Sequence, residues 1–205
     1  MRRESSTVVV LVGEVGEGLL AGLGRSPNVS VARAPAAGAG QPAAEEPTAR
    51  PGWEAGALAM AEAARRRSTY VVVPDDPLAE VAAAWRVMWE VAGGPGGAAG
   101  FEQRAAGALA AWRDKRFELP DYYLVVAAAQ PGGTGPDFYL GPLRAARPRR
   151  VAVAGIAGSP GQTARLLDTL RSLEHGPWWP PLDELIDAAR GFYAGGLTET
   201  QPALA

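Results

Sequence analysis

Thr7-Val8-Val9-Val10-Leu11-Val12 runs without a charge into Gly13-Glu14-Val15-Gly16-Glu17-Gly18. The apolar run is continuous and not alternating, which predicts a strand covered on both faces, as in a parallel sheet. The glycines that follow suit a tight turn from strand into helix. The same β-branched or aromatic signature returns at Thr69–Val73, Tyr122–Val126 and Val151–Ala154, with a weaker copy at Val29–Ala32.

The stretches between these runs have helical spacing. After Asp75-Asp76-Pro77, the residues Leu78, Val81, Ala82, Trp85, Met88, Trp89 and Ala92 fall on one helical face. Asp76 suits a cap and Pro77 the first helical position. A second stripe, Phe101, Ala105, Ala108, Leu109 and Trp112, predicts a helix over about 101–117. A third, Leu182, Leu185, Ile186 and Ala189, predicts a helix that begins at Pro181 and stops near Gly195-Gly196. Shorter helices are expected over 16–23, 53–67, 138–146 and 161–173.

Strands alternating with helices predict a three-layer α/β sandwich around a mainly parallel five-stranded sheet, Rossmann-like or flavodoxin-like. One domain is expected over 1–196, with a flexible tail at 197–205. Residues 34–52, rich in Pro, Gly and Ala, read as a low-complexity insertion. Gly93–Gly97 and Gln130–Pro136 read as loops.

Composition removes several chemistries. Ala, Gly, Pro and Arg supply about half of the 205 residues, and nineteen arginines accompany one lysine, Lys115. With no cysteine and only His175, thiolate nucleophiles, cysteine zinc sites, iron–sulfur clusters and intrachain His pairs are excluded. A net charge of −2 argues against a nucleic-acid binder. No apolar run approaches the roughly 18–20 residues of a membrane span, and a cytoplasmic location is expected.

In an open α/β sheet, ligands sit beyond the carboxyl ends of the strands, where strand order reverses. Gly13, Glu14 and Gly16 are therefore candidate ligand-binding residues. Their spacing, G-x-x-G-x-G, is neither the dinucleotide fingerprint nor a P-loop. Asp75, after the third strand, is the fourth candidate. If the first and third strands are neighbours, Glu14 and Asp75 would converge and could hold Mg²⁺ through oxygen ligands. Arg33, at the end of the weak second strand, is placed where an adenosine 2′-phosphate lies in dinucleotide folds. Asp137 reads as a helix cap, and Tyr139 as a packing residue or a phenol offered to a ligand. Ser159 reads as a cap, because a nucleophile elbow is absent.

Arg65–Arg67 and the group Arg144, Arg147, Arg149 and Arg150 read mainly as helix-terminal cations. Pro177-Trp178-Trp179-Pro180-Pro181 is the other candidate feature. Two adjacent tryptophans between prolines do not readily share one core direction, so Trp178 and Trp179 are candidate protein-contact residues.

The poor stock of catalytic side chains leads to a non-catalytic interaction or regulatory module, with a protein partner or a homodimer. One alternative is a small-ligand protein, nucleotide-type and Mg²⁺-assisted, using the carboxyl edge of the sheet. The other is an enzyme of glycosyl or ribosyl transfer that depends on Glu14 or Asp75. No cofactor is specified by the sequence.

Overall fold

The computed structural model describes residues 6–35, 52–90, 95–127 and 138–199. Five parallel strands form one sheet in the order β2-β3-β1-β4-β5. They are β1 (Thr7–Gly13), β2 (Val29–Val31), β3 (Tyr70–Val73), β4 (Tyr122–Ala127) and β5 (Val151–Ile156). The central strand is the most apolar stretch of the chain, β1, hydrogen-bonded to β3 on one side and β4 on the other. Every strand expected from the sequence is present.

The three-layer sandwich forms because the pleat sends alternate side chains to opposite faces. Val10, Val12, Val71, Val73, Tyr123 and Val125 belong to one core, packed with residues of α2 (Gly52–Ala63), α3 (Ala79–Glu90), α4 (Pro95–Arg113) and α7 (Leu182–Glu199). Val9, Leu11, Val72, Leu124 and Val126 belong to the other, packed with α1 (Glu17–Gly24) and α6 (Gln162–Arg171). Both faces of the sheet are covered by buried apolar side chains, which accounts for strands without alternation. The order differs from the Rossmann half, 3-2-1-4-5, by exchange of β2 and β3, and from the flavodoxin-like order 2-1-3-4-5 by the position of β1.

The helical stripes pack as their spacing requires. Leu78, just before α3, is buried with Val81, Trp85 and Met88 along it, and Leu182, Leu185, Ile186 and Ala189 are buried along α7. Trp89 and Ala92 lie outside the residues whose side chains are described, as does the core of the 34–52 insertion. Several boundaries differ from the expectation: α2 ends at Ala63 and α4 at Arg113, each about four residues early. Helix α4 begins at Pro95, inside the stretch read as a glycine loop. Proline is at home in a first helical turn, and Gly97 lets α4 approach α3: a Cβ there would stand 3.1 Å from the Met88 Cα. Helix α7 continues through Gly195-Gly196 to Glu199. The segment read as a helix over 138–146 is a π-helical turn at Tyr139–Leu143 that continues into α5 (Arg144–Ala146). Pro142 inside that turn has no N–H to donate, which disfavours regular α-helical bonding there.

Gly13 closes β1 with φ +98°, and a Cβ built on it would stand 2.1 Å from the Val126 carbonyl oxygen of β4. That contact is with backbone and cannot yield by a rotamer change. Gly13→Ala is expected to lose at least about 3 kcal/mol of stability, from the clash together with left-handed strain. Urea unfolding checks this.

Candidate functional site

The two crossovers beside β1 create a crevice. Helix α1 leaves β1 on one face of the sheet, while α3 leaves the neighbouring β3 on the other. Their starts diverge at the carboxyl edge, where a binding crevice belongs in such sheets. A cleft of about 540 Å³ occupies this position. Its chemistry comes from Glu17, Arg33, Asp75, Asp76, Arg86 and Tyr139.

Asp76 is the central group. It is buried, and its Oδ1 accepts hydrogen bonds from the Leu78 backbone N–H at 3.0 Å and the Tyr123 hydroxyl at 3.1 Å. Its Oδ2 accepts a hydrogen bond from the Tyr139 hydroxyl. The Leu78 bond is the capping contact that the sequence implied. The tyrosines add β4 and the π-helical turn to the same carboxylate. Burial pushes the Asp76 carboxyl up to about 6, against the opposing pull of its hydrogen bonds from Tyr139, Leu78 and Tyr123. Burial and the Asp76 charge hold both phenols well above their ordinary range. With the carboxyl raised to about 6, Asp76 remains mostly an acceptor at pH 7, and the phenols stay protonated donors.

Asp75 has a structural occupation as well as a place in the cleft. Its Oδ2 accepts from the Ala34 backbone N–H at 2.8 Å, tying the chain after β2 to the end of β3. Arg33 pairs with Glu17 at 2.6 Å, across from the exit of β2 to the first turn of α1. That hydrogen bond lowers the Glu17 carboxyl, and the Asp75 charge also favours the Arg33 cation. Arg86 joins the lining from the second turn of α3 onward.

Of the four expected ligand residues, Gly13 and Asp75 line the cleft, whereas Glu14 and Gly16 do not. β1 and β3 are neighbours, which meets the condition set for convergence, yet Glu14 is exposed and is not among the cleft residues that include Asp75. Glu17, three residues onward at the first position of α1, lines the cleft instead. Gly16 caps α1 through its carbonyl, which accepts from Leu19 and Leu20. Among the described residues, no three His, Asp or Glu side chains gather as a metal site. Asp137 lies outside the described residues. Tyr139 does not extend a free phenol, because its hydroxyl is spent on Asp76.

The tryptophan pair divides. Trp179 is buried, with its indole N–H donating to the Pro120 carbonyl at 2.7 Å and its ring edge-on to Tyr123. Trp178 remains 38 % exposed beneath the Arg150 guanidinium, 4.8 Å from the ring centroid. Arg150 also donates to the carbonyls of Pro177, Gly176 and Asp121. Arg147 donates to the Trp178 carbonyl. These arginines therefore clamp the segment before α7, a use that clustering alone did not reveal.

Asp76, read from the sequence only as a cap, and Arg86, not singled out there, both line the candidate cleft. An Asp before Pro at a helix start signals a cap, and the cap is real. Nothing local signals that two tyrosines from distant elements will bury it. No protein-family model, curated protein or solved structure matches this chain. Among the described residues, no helix is long and apolar enough to cross a membrane.

Asp76 should give an inverted pH dependence. Its folded-state value of about 6 exceeds the ordinary 3.8, so the folded protein binds this proton more tightly than the unfolded chain. Its destabilising effect is fully present above pH 6 and disappears as pH falls toward 4. Asp76→Asn keeps an acceptor for the Leu78 N–H and removes the charge. Relative to the parent, the variant should be more stable at pH 7.5, and that advantage should shrink by roughly 2–3 kcal/mol by pH 4. Urea midpoints measured across this range check the slope.

Proposed function

We propose that this chain is a small-ligand binding protein whose site is the carboxyl-edge cleft between β1 and β3. The ligand is a nucleotide-type metabolite, with an anionic group for Arg33 and Arg86 and hydroxyl groups for the carboxylates. The observation that carries this reading is Asp76 at the floor of a switch-point cleft. An asparagine there would cap α3 and bond both tyrosines without the cost of burying a charge. Retaining a titratable carboxyl where a neutral amide would do is characteristic of functional sites. The volume of about 540 Å³ also falls in the range of small-molecule pockets.

The interaction-module reading draws on Trp178, since Trp179 is committed to the core. An exposed aromatic ring beside rigid prolines suits a partner surface. The area it offers alone is well below the roughly 800 Å² per partner of a stable interface, so the ligand reading takes precedence.

The test is a thermal-shift screen against nucleotides, dinucleotides and sugar phosphates, each with and without Mg²⁺. A true ligand at 100 times its dissociation constant should add about 2.7 kcal/mol of stability. Arg86→Gln should weaken that ligand roughly tenfold by removing a charge-assisted contact. A screen flat throughout, or a ligand indifferent to both Arg86→Gln and Arg33→Gln, would overturn the assignment.

A further inference from the structure

The amino-terminal edge of the sheet holds a larger cleft, about 990 Å³ in volume, bounded by α2, the start of β1 and the chain leaving α4. Its walls are apolar where Ala57, Met60 and Ala64 stand with Phe117 and Leu119. Its charged lining is Arg66, Lys115, Arg116, Glu118 and Asp121. Two of these are committed elsewhere: Arg66 pairs with Glu62 at 2.7 Å, and the Asp121 carboxylate accepts from the Val8 backbone N–H at 2.8 Å. Arg116 lies 4.3 Å over the Trp53 ring. Among the described residues, neither Lys115 nor Arg116 forms an ion pair.

Lys115 is the anomaly. It has φ +57°, the left-handed conformation that follows a helix end. The Arg116 N–H donates to Ala111 O and the Lys115 N–H to Trp112 O, both at 2.9 Å, which is the paired-bond helix stop normally completed by glycine. The chain has 26 glycines and one lysine, and it places the lysine here. The side chain is thus kept at a position where its removal would relieve the backbone.

We propose that this cleft binds an amphipathic anion: a single alkyl or acyl chain between α2 and the Phe117–Leu119 segment, with its acid head group on Lys115 and Arg116. Apolar walls ending in two cations that form no ion pair among the described residues match an apolar body ending in one anion. The site is at the opposite edge of the sheet from the cleft proposed above and does not depend on it.

Isothermal titration of the full chain with dodecanoate, below its micellar concentration, tests the proposal. Dodecyltrimethylammonium serves as the charge-reversed control, and vesicles of anionic lipid as the membrane arm. One dodecanoate should bind per chain, and the cationic amphiphile should bind far more weakly. Lys115→Gly should weaken dodecanoate roughly five- to tenfold, the worth of one charge contact at a partly exposed site. Its urea midpoint should hold or rise, because glycine suits this backbone. That separates a lost contact from a lost fold. The site would be refuted by absent dodecanoate binding, by equal affinity for both amphiphiles, by an unchanged affinity in Lys115→Gly, or by binding to vesicles alone.

Discussion

The Asp76 carboxylate collects donors from three parts of the chain: the Leu78 N–H at the start of α3, the Tyr123 hydroxyl from β4 and the Tyr139 hydroxyl from the π-helical turn. Each donor lowers the cost of a buried charge, and together they still leave the carboxyl well above its ordinary value. The carboxylate consequently needs all three elements in register at once. If β4 shifted along β1, Tyr123 would leave; if the π-helical turn unwound, Tyr139 would leave. A buried network of this kind specifies one arrangement, because a partly satisfied version is worse than none. The aromatic cluster reinforces it, with Tyr123 against Tyr139 and Trp179, and Phe138 against Tyr139 and Trp85.

Sheet order sets that local device in a cleft. Placing β3 beside β1 lets α1 and α3 depart on opposite faces from adjacent strands, which opens the crevice at whose floor Asp76 sits. Gly13 makes the close approach of β1 to β4 sterically feasible at the same edge. Its glycine is required by the Val126 carbonyl, so a phosphate is not needed to explain it. Arg150 acts similarly at a distance. By donating to three carbonyls and covering the Tyr122 and Trp178 rings, it holds the segment that delivers Trp179 beneath Tyr123.

The candidate site was only partly legible in the sequence. Gly13 and Asp75 could be placed at the carboxyl edge because strand ends are readable from the apolar runs. Glu14 falls outside the cleft lining and Glu17 within it, because a turn of a few residues decides which of two nearby acids faces a crevice. The helix start at Pro95 was obscured by glycines, whose low helix propensity is offset here by tight packing of Gly97 on α3. The arginine group looked like helix-terminal cations, since the carbonyls of Asp121, Pro177 and Trp178 that it serves lie more than twenty residues away on either side.

The sequence by itself determined the layered α/β architecture, the five strands, the main helical faces and the capping role of Asp76. Periodicity and burial on both faces are local properties that each segment carries alone. Only the tertiary structure decided that β3 lies next to β1, that Trp179 is core while Trp178 is half open, and that Tyr123 and Tyr139 converge on Asp76. Those facts depend on contacts between residues 47 and 63 positions apart in the chain. Such contacts arise from the packing of whole elements, so no window of neighbouring residues contains them.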